Sequence, residues 1–164
     1  MLLDLKKIFG TYDEPVRREL TLDLSGEDFP GYAVAAPVEV CITATLLGHV
    51  LELSLCARTT VEFECARCLE KTRRETCTQR TYSVREADLS DPDAELVFTP
   101  DGKLDVQELV YTELVLQIPS VLLCSDTCEG LCPVCGNRKP CPHGHETSGA
   151  VDERLTILKQ LLSE

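Results

Sequence analysis

The sequence has few of the residues on which hydrolytic and transfer enzymes depend. Its 164 residues include only three histidines, one in a predicted turn and two beside a cysteine cluster. No Ser-His-Asp order, phosphate-binding glycine loop or H-E-x-x-H motif can be assembled from them. Carboxylates are numerous, but none lies in a recognisable acid–base pair. We therefore expect a protein that is not an enzyme, with no catalytic residue and no small-molecule substrate.

Long apolar runs and net positive charge are also lacking. No run approaches the roughly 20 residues that cross a bilayer. The first residues, 1–7, place their charges after the apolar side chains, unlike a signal peptide. These features predict a cytoplasmic protein with no membrane partner. The 16 basic and 28 acidic residues give a net charge of −12, which argues against a surface that attracts polyanions everywhere.

Positive charge is concentrated in one segment. Residues 58–85 contain seven basic and four acidic side chains, so the rest of the chain has an excess of fifteen negative charges. A basic stripe on an acidic body could contact nucleic acid, and a strand with solvated basic side chains is the alternative interpretation.

The ten cysteines are clustered, and without a secretion signal they indicate metal or redox chemistry rather than a disulfide framework. A C-x-x-C turn brings two thiolates to one ion, and tetrahedral zinc then needs two further ligands. C-P-V-C-G at 132–136 is typical of a zinc knuckle, because Pro133 favours a turn and Gly136 can adopt a positive φ. C-A-R-C at 65–68 is less specific, since thioredoxin-type redox motifs share its spacing.

The clusters can be divided into two sets of four ligands. The predicted metal ligands are Cys65 and Cys68 with Cys124 and Cys128, and Cys132 and Cys135 with Cys141 and His143. His145 competes with His143 for the last position. One or two zinc ions are expected, and the alternative is that some thiols pack as small apolar groups.

Three more cysteines lie on predicted strands. Residues 38–57 alternate like a β-hairpin with a two-residue loop at Gly48-His49. The expected pairs are Ile42 with Leu55, Ala44 with Leu53, and Cys41 with Cys56. If the 65–68 turn is a second two-residue loop, Cys56 also faces Cys77. This row of thiols is either a third metal or redox site or a set of half-buried packing residues.

The remaining pattern predicts an α+β fold: an antiparallel sheet, one buried helix, a zinc-clipped Cys-rich loop and a short C-terminal helix. Strands are expected at 17–24, 34–47, 50–64 and 70–85, helices at 105–118 and 153–162, and loops at 86–103 and 120–149. Asp105 with Glu108 resembles a capping box, and Pro119 ends the first helix. We predict a β-rich domain over 1–119 and a zinc-binding loop with its helix over 120–164.

Four segments carry a resemblance to a known family. They are C-A-R-C-L at 65–69, L-D-V-Q-E-L-V-Y-T-E-L-V-L-Q-I-P at 104–119, L-C-S-D-T-C-E-G-L-C-P-V-C-G at 123–136 and V-D-E-R-L-T-I-L-K-Q-L at 151–161. Together they resemble the YceD family, the large ribosomal RNA subunit accumulation proteins, and the third segment is the most specific. Many Cys-rich members continue with C-x-C, where this chain has Cys141-Pro142-His143.

The resemblance implies a non-enzymatic ribosome-biogenesis factor needed for processing or accumulation of large-subunit (23S) rRNA. We predict that it binds the rRNA precursor or an assembly intermediate through Arg67, Lys71, Arg73 and Arg74, with ribosomal or assembly proteins as further partners. Two alternatives stay open. One is a zinc and thiol redox switch at C-A-R-C or C-P-V-C-G, and the other is an acidic adaptor that binds basic ribosomal proteins without contacting RNA.

Overall fold

The computed structural model of the protein describes residues 1–11, 14–91 and 93–142. The chain divides into two compact units, Met1–Cys128 and Glu129–Glu164. The first unit is mostly antiparallel β-sheet, which supports that part of the predicted α+β class, and residues 120–128 belong to it. The helix expected at 153–162 lies outside the described residues. Within the described ranges, no helix is long and apolar enough to span a membrane.

Two antiparallel sheets organise the first unit. Its strands are β1 (Leu2–Asp4), β2 (Val16–Leu22), β3 (Tyr32–Val34), β4 (Val38–Leu47), β5 (Val50–Glu64), β6 (Lys71–Arg85) and β7 (Lys103–Asp105), and its helices are α1 (Leu5–Thr11) and α2 (Val106–Gln117). β1 pairs with β7. The larger sheet has the order β2–β4–β5–β6, and β3 pairs with the C-terminal end of β5.

The β4–β5 hairpin has the predicted register. A two-residue loop joins Leu47 to Val50, and Gly48 has a φ of 66°, which glycine adopts without steric cost. The expected pairs are confirmed: Ile42 with Leu55, Ala44 with Leu53, and Cys41 with Cys56. Alternation along the strands buries the aliphatic members and leaves both cysteines half-buried on the opposite face.

The strand predicted over 34–47 is two strands, because the chain leaves the edge of β5 after Ala35, whose N–H still donates to the Thr60 carbonyl at 2.8 Å. Pro37 has no N–H group with which to continue the ladder. The Thr59 hydroxyl donates instead to the Ala36 carbonyl at 2.8 Å, and β3 then pairs with residues 61–63 of β5.

The prediction that Cys56 faces Cys77 is wrong by two residues. β5 and β6 are joined by six residues, 65–70, rather than by a two-residue loop. Cys56 therefore faces Gln79, and Cys77 faces Arg58. Because side chains alternate with a period of two, this shift keeps each residue on its expected face and leaves the two cysteines as diagonal neighbours.

Helix α2 begins and ends close to the predicted residues. The Asp105 carboxylate caps it by accepting the Gln107 N–H at 3.0 Å, and Pro119 follows its C-terminal end. The buried residues of α2 are Val106, Leu109, Val110, Glu113 and Leu114. The sequence pattern did not predict the buried carboxylate of Glu113, which accepts a hydrogen bond from the Tyr82 hydroxyl.

Two stretches contain elements that the sequence did not reveal. The N-terminal segment forms β1 and α1, and the stretch predicted as a loop over 86–103 contains a 3-10 helix, Glu86–Ser90, and the first residue of β7. Strands of three residues and helices of five to seven residues are too short to establish a hydrophobic period, and the pairing of β1 with β7 is visible only in the tertiary structure.

Candidate metal centres

Four cysteine sulfurs converge beside the loop between β5 and β6. Cys65 and Cys68 lie in this loop, Cys124 and Cys128 follow α2, and all four sulfurs lie within 4.8 Å of one another. The Sγ–Sγ distance is 3.8 Å between Cys65 and Cys128 and 3.6 Å between Cys68 and Cys124. Four sulfurs at 2.3 Å from one tetrahedral ion are about 3.8 Å apart. The set could therefore hold a metal ion in a closed, four-thiolate site.

Backbone hydrogen bonds shape the first half of this site. The Cys65 N–H donates to the Glu70 carbonyl at 2.9 Å, and the Leu69 N–H donates to the Cys65 carbonyl at 2.9 Å. Leu69 follows the second cysteine and has a φ of 60°. It is the only residue other than glycine with a positive φ in the described part of the chain. The turn thus places a leucine where a glycine would be unstrained.

Three hydrogen bonds hold the segment after α2 against this turn. The Ala66 N–H donates to the Leu122 carbonyl at 3.0 Å, and the Arg67 guanidinium donates to the Cys128 carbonyl at 2.8 Å. The Arg74 guanidinium donates to the Leu123 carbonyl, and it also lies over the ring of Phe63. These contacts bring the second pair of thiols to the first pair, so two of the arginines predicted to contact RNA also position the candidate metal ligands.

The second unit contains three converging sulfurs, those of Cys132, Cys135 and Cys141, all within 4.8 Å of one another. Its turn repeats the hydrogen bonds of the first: the Cys132 N–H donates to the Asn137 carbonyl at 2.7 Å, and the Gly136 N–H donates to the Cys132 carbonyl at 2.8 Å. Gly136 has a φ of 71°, as the C-P-V-C-G pattern predicted. His143 and His145, the candidates for a fourth ligand, lie outside the described residues.

In each set, the surroundings of one cysteine lower the pKa of its thiol. The backbone N–H of Cys124, followed by those of Arg67 and Cys68, lowers the pKa of Cys65 to about 6 although burial opposes the shift. Burial also acts to raise the pKa of Cys132, but the N–H groups of Cys135 and Val134 outweigh it and lower that pKa to about 6. Because the thiolate is the form that binds a metal ion, Cys65 and Cys132 can both act as ligands near neutral pH.

A protein-family model matches the part of the chain that contains these sites. The family described as large ribosomal RNA subunit accumulation protein YceD matches residues 53–162, which is more than half of the chain. The chain belongs to the YceD family. The match contains both cysteine sets and helix α2, and it confirms the resemblance found in the sequence. Comparisons with curated proteins and with solved structures gave no match.

The basic residues of this YceD-family chain do not form one flat patch. All four predicted RNA contacts are exposed, but Arg73 and Arg74 are adjacent on β6 and therefore lie on opposite faces of the sheet. Arg73 forms an ion pair with Glu62 at 2.7 Å on the open face of the larger sheet, which is the face opposite the hydrophobic core, and Lys71 lies on the same face. Arg74 lies on the other face, against Phe63. The structure thus separates the stripe into an open-face pair and a pair that contacts the 122–128 segment.

Replacing Leu69 with glycine should stabilise this YceD-family protein by about 1 kcal/mol, because a left-handed conformation costs a leucine roughly 1–2 kcal/mol. Leu69 is 57% exposed, so the substitution removes little buried surface. Urea unfolding measures the change in the free energy of unfolding. Ala66→Gly in the same turn is the matched control and should destabilise, since Ala66 does not have a positive φ. Equal effects of the two substitutions would contradict the assignment of strain to Leu69.

Proposed function

We propose that this protein is a non-enzymatic cytoplasmic factor in ribosome biogenesis, required for processing or accumulation of large-subunit (23S) rRNA. Its partners would be the rRNA precursor or an assembly intermediate, with ribosomal or assembly proteins, and it would take no small-molecule substrate. The family match over residues 53–162 is the observation that carries this proposal. The two cysteine sets support it by suggesting a protein built around structural metal rather than a catalytic centre.

Zinc is the metal we propose for both sets. The thiolate ligands and the sulfur spacing of the first set fit tetrahedral zinc, and four protein ligands leave no open position for a catalytic water. Its role would be to clip the segment after α2 to the β5–β6 turn. In the second set, His143 would complete the ligands Cys132, Cys135 and Cys141.

His143→Ala should weaken zinc binding at the second centre by more than the roughly 10–100-fold that loss of an outer-shell partner costs. The reason is that a tetrahedral site would lose one of its four direct ligands. Competition with a chromogenic chelator measures the affinity. His145→Ala is the matched control and should leave the affinity unchanged. The opposite pattern would assign the fourth position to His145.

RNA contact would be made chiefly from the open face of the sheet. Lys71 and Arg73 are exposed there, and Arg58 lies on the same face, opposite Cys77. Arg67 and Arg74 would contribute from the edge of the metal centre, because both residues are exposed while each also donates to a backbone carbonyl. A phosphate could replace Glu62 as the partner of Arg73, since an exposed ion pair contributes little.

The double substitution Lys71→Glu with Arg73→Glu should weaken RNA binding and reduce its log–log salt slope by roughly one for each phosphate that the protein no longer neutralises. Filter binding to large-subunit precursor RNA over a range of salt concentrations measures both quantities. The matched control is Arg17→Glu with Arg18→Glu on β2, the opposite edge of the sheet. It makes the same charge change and also breaks one arginine–glutamate pair, Arg17–Glu19. Equal reductions in both variants would exclude a specific basic surface.

The assembly role is tested by capturing tagged protein from growing cells at near-physiological salt. Bound RNA is read by sequencing and bound proteins by mass spectrometry, with depletion of the protein as a parallel arm. We expect enrichment of large-subunit precursor RNA in the capture and accumulation of unprocessed precursor on depletion. If neither rRNA nor ribosomal proteins exceed background, the proposal fails.

A second candidate is an adaptor that binds basic proteins without RNA contact. A cavity beside α2 favours it, because apolar Leu109 and the 73% exposed Leu116 lie there with the acidic Glu95, Glu108 and Glu113. The basic residue of this cavity, Arg80, already pairs with Glu95 at 3.3 Å. A complex that survives nuclease treatment would favour the adaptor, and one that nuclease disperses would favour direct RNA binding.

A further inference from the structure

The three cysteines outside the metal sets lie together on the open face of the larger sheet. Cys41 on β4 is directly opposite Cys56 on β5, and Cys56 is diagonal to Cys77 on β6. The sulfurs of Cys56 and Cys77 are 3.6 Å apart, which is van der Waals contact. Cys77 is exposed, and the other two are half-buried. Free cysteine is usually among the most buried residues, so an exposed thiol touching a second thiol is not explained by core packing.

The surroundings of this thiol row are polar and carry charges of both signs, since Glu19 is opposite Cys41 and Glu39 is opposite Arg58. Arg58 is paired with Cys77 in the register, and the Gln79 amide donates to the Cys56 sulfur at 3.9 Å. Arg17 lies near Cys41 and interacts with its thiol electrostatically. Burial and the Cys56 thiol raise the pKa of Cys77 while Arg58 acts to lower it, so the sulfur–sulfur contact, rather than a stabilised thiolate, favours this pair. The row is not a third candidate metal site. Its three sulfurs do not all lie within 4.8 Å of one another, whereas the sulfurs of the two sets do, among the described residues.

We propose that Cys56 and Cys77 form a redox-active dithiol that is oxidised by hydroperoxides to a disulfide between β5 and β6. In the first step one thiolate attacks the peroxide, the O–O bond breaks, and a sulfenic acid forms as water or an alcohol leaves. In the second step the other thiol attacks the sulfenic sulfur, the S–S bond forms, and water leaves with the second oxygen. Two thiols are oxidised while one peroxide is reduced, so the reaction is balanced.

This site differs from a redox switch at the metal ligands. In the zinc-loaded protein, the thiolates of the two metal sets would be coordinated, whereas Cys56 and Cys77 would stay accessible on the open sheet face. Their contact is already made in the folded protein, so oxidation requires the sulfurs to close from 3.6 Å to the roughly 2.05 Å of a disulfide, with the two strands shifting as far as this diagonal pair needs. Oxidation at this site should therefore precede any release of zinc.

The test treats the reduced, zinc-loaded protein with hydrogen peroxide and follows intact mass, zinc release and disulfide-linked peptides. Cleavage after glutamate separates Cys41 from Cys56 at Glu52, so the linked peptides identify the pair. We expect the mass to fall by two hydrogens, with the link between Cys56 and Cys77 and no zinc released. Cys41→Ser should behave like the unchanged protein, and Cys77→Ser should lose the reaction.

Three results would overturn the proposal. Zinc release before the loss of two hydrogens would place the reactive thiols in the metal sets. A disulfide that still forms in Cys77→Ser would assign the chemistry to Cys41 and Cys56. Cysteines oxidised only to isolated sulfinic acids would show that the two thiols do not act as a pair. Both serine variants change half-buried or exposed positions, and their unfolding curves verify that they are folded.

Discussion

Replacing Cys128 with serine should remove one zinc ion per chain and lower the free energy of unfolding by about 4–5 kcal/mol or more, the range in which loss of a metal site falls. Cys128 is buried, and its sulfur lies 3.8 Å from that of Cys65. A serine hydroxyl does not replace a thiolate ligand, and the remaining cysteines, of which Cys65 and Cys68 are buried, would lose the ion that compensates the charge of their thiolates. Elemental analysis gives the zinc content, and urea unfolding gives the stability.

Cys77→Ser is the matched control for this experiment. It removes a thiol of the same size from the same unit, but from an exposed position outside both metal sets. We expect it to leave the zinc content unchanged and the stability within about 0.5 kcal/mol, as for an ordinary surface substitution. Unchanged zinc content in Cys128→Ser would contradict the proposed first centre.

Leu114→Ala should lower the free energy of unfolding by about 2–5 kcal/mol, the cost of deleting a fully buried leucine side chain. Leu114 is 0% exposed on α2, and its carbonyl accepts the Tyr32 hydroxyl at 2.9 Å. The substitution would leave a cavity between the helix and the sheet. The same urea unfolding measures the loss.

Leu116→Ala supplies the comparison on the same helix. Leu116 is 73% exposed, so its truncation should change stability by no more than about 0.5 kcal/mol. Because Leu116 borders the acidic cavity, this variant also separates a loss of partner binding from a loss of folding. A large destabilisation by Leu116→Ala would contradict the placement of α2 with Leu114 inward.

Sequence alone predicted the fold best where a short loop determines the pairing. The two-residue loop at Gly48-His49 fixes the whole β4–β5 register, and three residue pairs followed from it. The same reasoning gave a wrong register for β5 and β6, because the C-A-R-C turn is part of a six-residue connection rather than a two-residue hairpin loop. Its key position is occupied by Leu69 instead of glycine, so no residue type signalled the positive φ.

The candidate site shows the same division between local and tertiary information. The C-x-x-C spacing identified the cysteines as candidate metal ligands, because the geometry of such a turn is set by a few neighbouring residues. It did not reveal that Arg67 and Arg74 donate to carbonyls of the segment after α2, because those contacts join residues 61 and 49 positions apart. Nor did it predict the burial of Glu113, whose carboxylate accepts a hydrogen bond from Tyr82 of another element.

The first metal centre also has a consequence for the order of assembly. Its sulfur contacts join residues 56 and 63 positions apart, and helix α2 lies between the two halves. During synthesis, Cys65 and Cys68 emerge long before their partners, so the ion can be fully enclosed only after α2 has been made. A covalent cross-link over such a loop is worth about 4 kcal/mol in the chain-entropy treatment, and a bound ion acts in the same sense. If it binds zinc as proposed, the centre would close late, and its occupancy would report that synthesis has passed Cys128.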